Sequence, residues 1–199
     1  MIDKSEITAV ILAGGRGQRM GGTDKGLVAV AGKPLVEHVL GIVACQAGQV
    51  IISANRNHER YQAFGHPVLA DTLAGYQGPL AGLLAGMRAA RTPYLATVPC
   101  DGPFLGANHV ARLAAALEAA QADIAIAHDG HRLQPVHALV RTALRADLEG
   151  FLAAGERKTA LWQARHRCAH ADFSDAPQQF FNLNTPGDRL RFENRDDGA

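Results

Sequence analysis

Continuously apolar runs and segments of helical period take turns along most of the chain. Ile7–Ala13 (ITAVILA) is apolar throughout and rich in β-branched residues, the pattern of a strand buried on both faces of a parallel sheet. Pro34–Ala47 (PLVEHVLGIVACQA) predicts a helix: its apolar positions recur every three and four residues, and Pro34 stands where a first helical residue can lack its N–H. Val50–Ser53 and His66–Ala70 predict a second and a third strand. Pro79–Arg91 predicts a helix of small residues, Tyr94–Val98 a fourth strand, Asn108–Gln121 an alanine-rich helix and Ile124–Ala127 a further strand. Such alternation implies an α/β fold with a mostly parallel twisted sheet, and right-handed crossovers put helices on both faces. The last third is less regular. Leu133–Val140 reads as a strand, Thr142–Ala154 and Lys158–Ala164 as helices, and Phe180–Leu183 as a short strand. A final helix is expected near Asp188, with a frayed polar tail over Asn194–Ala199. No linker or repeat interrupts the pattern, so one domain is expected over residues 1–199.

Composition narrows the function classes. The 199 residues are 47% hydrophobic with a formal net charge of +1, so no global field favours nucleic acid or an acidic membrane. Three cysteines, Cys45, Cys100 and Cys168, are scattered without metal-ligand spacing and suggest a reduced, cytoplasmic chain with no disulfide framework. The opening apolar run is too short for a signal-peptide core, and no stretch approaches a membrane span.

Positive charge and backbone freedom are concentrated in one place. Leu12–Gly26, LAGGRGQRMGGTDKG, holds six glycines, two arginines and a lysine at the end of the first predicted strand. Ligands of open α/β sheets bind beyond the carboxyl ends of the strands. Gly14 and Gly15 there let backbone N–H groups approach an anion, and Arg19 and Lys25 supply charge, so a triphosphate suits the loop. A solvated glycine-rich turn is the other reading. A P-loop is excluded because Gly26 follows Lys25 where Ser or Thr is needed. A dinucleotide fingerprint is excluded because Met20 replaces its third glycine.

The longer string Leu12–Val39, LAGGRGQRMGGTDKGLVAVAGKPLVEHV, resembles the opening of nucleotidyltransferases that activate small phosphorylated compounds, and its R-M-G-G-x-D-K-G variant is similar to the molybdenum cofactor guanylyltransferases. SANRN at Ser53–Asn57, GPLAGLLAGM at Gly78–Met87, VPCDGPF at Val98–Phe104, AGERK at Ala154–Lys158 and FNLNTP at Phe181–Pro186 extend the resemblance from about Thr8 to about Leu190. It implies a Rossmann-like fold that transfers GMP from GTP to the terminal phosphate of molybdopterin, or Mo-molybdopterin, and releases pyrophosphate. Cofactor-insertion and molybdoenzyme maturation proteins would be its partners. Two positions depart from the family pattern: Gly102 stands where Thr or Met is expected, and Ser53 where Asn is frequent, so Asn55 is the expected base contact. The rival activities are CMP transfer to molybdopterin, NMP transfer to a sugar or alcohol phosphate, and nucleotide binding without catalysis in a cofactor-delivery subunit.

The residues themselves support this chemistry. Asp101 follows a predicted strand at the same sheet edge as the glycine loop. Its carboxylate suits Mg²⁺, which is held by one or two carboxylates with substrate phosphates and water; a turn or helix-cap role before Pro103 is the alternative. Lys25 and the metal would spread the charge that develops as pyrophosphate leaves, with Arg19 adding charge nearby. No general base is required, because a phosphate monoester with a second pKa near 6 is largely dianionic at neutral pH. The nine histidines form no catalytic pattern; His38 and His137 are expected to pack or cap, and Cys100 to be a buried small residue. The resemblance implies a nucleotide site of Leu12, Ala13, Gly14, Gly15, Lys25, Asn55, Asp71, Gly78, Pro79 and Asp101, with Asp71 reading guanine or ribose; on the residues alone Asp71 also fits an Asp–Thr turn or helix cap, and Pro79 a helix start. For the molybdopterin side the candidates are Arg157 and Lys158, which also fit a solvated helix end, and Asn182 and Asn184. On a strand these two amides would face the same side.

Overall fold

The structure, a computed structural model, describes residues 1–13, 24–70, 78–183 and 187–188. Among the described residues seven strands form one sheet: β1 (Ile7–Leu12), β4 (Gln49–Ser53), β5 (Val68–Leu69), β6 (Tyr94–Pro99), β7 (Ile124–His128), β8 (Leu133–Arg141) and β9 (Cys168–Asp172), in the spatial order β5-β4-β1-β6-β8-β7-β9. β5, β4, β1 and β6 pair in parallel, as do β7 and β9; β8 runs antiparallel between β6 and β7. A two-stranded hairpin, β2 (Ala29–Val30) with β3 (Lys33–Pro34), stands apart.

Alternation along the strands divides the core in two. On one face Ile7, Ala9 and Ile11 of β1 pack with Val36, Val39 and Val43 of α1 (Leu35–Val43) and with Val110, Leu113 and Leu117 of α4 (His109–Ala119). On the other, Val10 packs with Leu80, Leu83, Leu84 and Met87 of α3 (Pro79–Ala89), with Leu148, Phe151 and Leu152 of α5 (Arg145–Ala153), and with Trp162 of α6 (Thr159–Gln163). α3 lies unusually close to the sheet. A Cβ on Gly82 would fall 2.6 Å from Leu12 Cδ2 and 2.7 Å from Ser53 Oγ, so only glycine lets the helix seat there.

Two buried histidines join the first core cluster to the segment after β9. His109, at the start of α4, and His137, in β8, meet edge to face with ring centroids 5.2 Å apart, walled by Phe173 and Phe180. Burial holds both pKa values down, that of His109 at about 4 and that of His137 well below the ordinary value. His109 Nδ1 contacts Gln179 Oε1 at 3.2 Å, which partly offsets its burial.

The structure corrects the sequence reading at several points. α1 starts at Leu35, with Pro34 as the extended cap residue, because Pro34 also pairs with Ala29 in the hairpin. The third predicted strand shrinks to two residues. Phe180–Leu183 is not a strand: Pro177–Phe180 is a 3₁₀ turn, and the Leu183 N–H donates to the Asp101 carbonyl at 2.9 Å instead of joining the sheet. β9 and the short helix α2 (His58–Gln62) were not expected.

Candidate active site

Parallel pairing brings several strand ends to one edge. Leu12 closes β1 opposite Ser53 of β4 and Pro99 of β6. Hydrogen bonding continues one residue beyond the strands: the Ala13 N–H donates to the Ser53 carbonyl at 2.8 Å, Cys100 to Leu12 at 3.1 Å and Ala54 to Leu69 at 2.8 Å. The backbone is therefore pinned up to the points where the loops leave, and side chains there start from a rigid base.

Asp101 comes two residues after β6, and Lys25 opens a 3₁₀ turn, Lys25–Leu27. Separated by 76 positions in sequence, the two meet: Lys25 Nζ donates to Asp101 Oδ2 at 3.2 Å. Both side chains retain some solvent contact, 27% for the lysine and 15% for the aspartate, so the pair faces outward at the edge. A cation and an oxygen donor thus stand together beyond the carboxyl ends of the parallel strands.

Behind this pair is a second carboxylate. Asp24 is buried and takes the Tyr61 hydroxyl on Oδ1 at 2.6 Å and Asn57 Nδ2 on Oδ2 at 2.9 Å, with Arg56 Nε 3.5 Å from Oδ2. Burial, and then the bond to Asp24, push the Tyr61 phenol far above its ordinary range, so it remains a protonated donor. Asp24 and Asn57 sit inside the strings RMGGTDKG and SANRN, but neither they nor Tyr61 were expected as site residues.

The other expected residues fall in three groups. Leu12 and Ala13 lie at the edge beside Asp101, and Asn55 follows β4 at the same edge. Gly78, with φ of +78°, caps α3 and Pro79 begins it; Pro79 and Leu12 line one narrow cavity with Thr159 of α6. Ser53 points beneath α3, its Oγ 2.7 Å from where a Cβ on Gly82 would stand. Asn182 reaches the site by another route: its Oδ1 lies 3.4 Å from where a Cβ on Gly102 would stand, next to Asp101. Arg157 and Lys158 precede α6. Arg157 Nη1 donates to the carbonyls of Leu152 and Glu156, and Lys158 is exposed. Gly14, Gly15, Arg19, Asp71 and Asn184 lie outside the described residues, so the expected pairing of Asn182 with Asn184 has no described counterpart, and its strand is absent.

Two expected bystanders behave as such. His38 Nε2 is 2.8 Å from the Val30 carbonyl, holding α1 to the hairpin. Cys100 is buried, and burial followed by the charges of Asp101 and Asp24 raises its thiol pKa, so it supplies no thiolate.

Residues 9–169 match the MobA-like NTP transferase domain. The chain belongs to that family. A molybdenum cofactor guanylyltransferase of Shewanella loihica is 49% identical over 181 residues, 91% of this chain and 92% of its own. One from Shewanella sp. strain ANA-3 is 49% identical over 186 residues, 94% of each chain. The crystal structure of molybdopterin-guanine dinucleotide biosynthesis protein A from Archaeoglobus fulgidus superposes with a TM-score of 0.79 at 24% identity, covering 97% of this chain and all of that one. As a MobA-like NTP transferase the chain is a nucleotidyltransferase with the α/β sheet of that fold. No helix among the described residues is long and apolar enough to cross a membrane.

The donor set fits Mg²⁺ in a specific sense. Among the described residues no three His, Cys, Asp or Glu side chains gather to hold a metal. Asp24 already accepts two hydrogen bonds and faces the Arg56 guanidinium, which leaves Asp101 as the carboxylate at the pair among the described residues. One carboxylate completed by phosphate oxygens and water is an ordinary Mg²⁺ shell.

Proposed function

We propose that this MobA-like NTP transferase joins GMP from GTP to the terminal phosphate of molybdopterin, at the edge where Lys25 and Asp101 meet. The observation that carries the reading is their 3.2 Å contact at the carboxyl ends of parallel strands, together with the close likeness to guanylyltransferases over nearly the whole chain. An oxygen of the acceptor phosphate attacks the α-phosphorus of GTP. The bond from that phosphorus to the bridging oxygen breaks, and its electron pair leaves on pyrophosphate. The acceptor is already dianionic near neutral pH, so no side chain need remove a proton. Lys25 leaves the Asp101 carboxylate to meet the triphosphate and neutralises charge on the departing pyrophosphate. Asp101 would hold Mg²⁺, which supplies further neutralisation of the triphosphate oxygens when bound. Asn55 and the backbone at Gly78 contact the base, with Asp71 at base or ribose. Asn182, beside Gly102, serves the acceptor, with Arg157, Lys158 and Asn184 as its further contacts.

Incubation with each of four nucleoside triphosphates, Mg²⁺ and molybdopterin tests this directly, reading pyrophosphate and the dinucleotide product. GTP is expected to turn over fastest. Faster turnover of CTP would make the chain a cytidylyltransferase, and nucleotide binding without pyrophosphate release would make it a delivery subunit.

A further inference from the structure

Asp24 occupies the N-cap position of the 3₁₀ turn that carries Lys25, yet its carboxylate makes no cap hydrogen bond. Aspartate is among the residues best suited to such a bond, and here that bond is forgone. The carboxylate instead turns inward to the segment after β4. Asn57 does the same from the other side: it is the N-cap of α2, makes no side-chain cap bond there, and spends its amide on Asp24 at 2.9 Å. It holds this position in a left-handed backbone conformation, φ of +53°, that few residues other than glycine and asparagine tolerate. Tyr61, fully buried on α2, adds the 2.6 Å hydroxyl bond, and Gly26 makes room for it, since a Cβ there would lie 2.5 Å from the Tyr61 hydroxyl oxygen. Asn57, diverted from its own cap, and the buried Tyr61 therefore clasp Asp24, itself a cap residue turned away from its turn and the residue immediately before Lys25.

We propose that Asp24 is the positioning residue for Lys25, locking the lysine turn to the Asn55–Tyr61 segment so that the ammonium is held at the Asp101 edge before substrate arrives. The proposal rests on the reading of Lys25 as the lysine that neutralises the leaving group. Asp24 itself touches neither nucleotide nor acceptor; it acts through the lysine, and through the shared clasp it ties the phosphate side of the site to the loop that carries Asn55.

A double-mutant cycle with Lys25 separates positioning from mere stabilisation. Asp24→Asn keeps the shape, removes the charge and leaves one acceptor oxygen in place of two, so it can take Tyr61 or Asn57 but not both. It is expected to lower kcat about tenfold, the scale of one charge-assisted hydrogen bond, with the KM for GTP changed about twofold at most. In a Lys25→Ala background the same substitution is expected to change kcat no further; an equal factor in both backgrounds would overturn the proposal. Tyr61→Phe, which removes one donor and leaves the carboxylate paired to Asn57 and Arg56, carries the same cycle if Asp24→Asn does not fold. A second arm does not depend on the reaction. Without substrate, acylation of Lys25 by an amine-reactive ester, followed by peptide mass spectrometry, is expected to be several-fold faster in Asp24→Asn and Tyr61→Phe than in the unsubstituted protein. Equal labelling rates sink the positioning role even if guanylyl transfer is found. Faster labelling with no transfer activity sinks the functional reading and leaves the clasp standing.

Discussion

Mild acid should destabilise this protein through the His109–His137 pair. His109 titrates near 4 in the folded state because burial disfavours its charge, against 6.5 for an ordinary histidine. Between those values the unfolded chain binds a proton that the folded chain does not, so stability rises with pH there and falls as pH drops. The contribution is fully present above about pH 6.5, declines below it and is exhausted near pH 4. The whole span corresponds to about 3 kcal/mol, and about 1 kcal/mol of it is gone by pH 5.5. His137, lowered by burial and then by its neighbour His109, acts in the same direction. Carboxylates whose pKa values are depressed, such as Asp129 at about 2, release their stability only at lower pH, so the window from 6.5 to 5 isolates the histidines. Urea unfolding followed by circular dichroism at half-unit steps from pH 7.5 to 5 measures the effect. His137→Phe, which removes one titrating ring, should flatten the slope. An unfolding free energy constant across that range would refute the burial argument.

Two further outcomes follow from the site and from α3. Asp101→Asn should cut Mg²⁺-dependent turnover at least about a hundredfold and move half-saturation to higher Mg²⁺, because a neutral amide is a poor ligand for a hard cation; a magnesium titration that overlays the unsubstituted enzyme would remove Asp101 from the site. Gly82→Ala should lower Tm by about 2 °C or more, since overpacking costs about 1–3 kcal/mol and the new Cβ would press on Leu12 and Ser53 within 2.7 Å; calorimetry showing no change would mean that α3 shifts freely on the sheet.

Much of this architecture was legible in the sequence because it is written in residue types that suit one environment. β1, with its β-branched run, and α1, with apolar residues every three or four positions, each satisfied a single period. β9 hid because its inward residues are Ala169 and Ala171, and alanine alternating with polar residues carries little strand preference. α2 buries only Tyr61, too little to show a period. Phe180 and Leu183 misled for the opposite reason: both are buried, but as isolated anchors of a loop folded against Asp101 and the histidine pair. At the site, strand-end topology was enough to put Asp101 at the same edge as the loop that carries Lys25. Asp24 could not be read this way, because an aspartate beside a lysine in a polar string looks solvated, and its burial depends on Tyr61, 37 positions on.

The reversal at β8 divides labour across the sheet. On one side, β5, β4, β1 and β6 can present residues at the working edge only from the crossovers that follow them. On the other, the tight link between β7 and β8, residues 129–132, and the stretch after β9 that returns to Asp101 arrive at that edge without crossing the sheet. A hairpin tip tolerates insertion or replacement more readily than a crossover loop wedged between parallel strands. Residues 129–132 and 173–183 are therefore the parts of that edge open to remodelling while the lysine and its clasp stay unaltered.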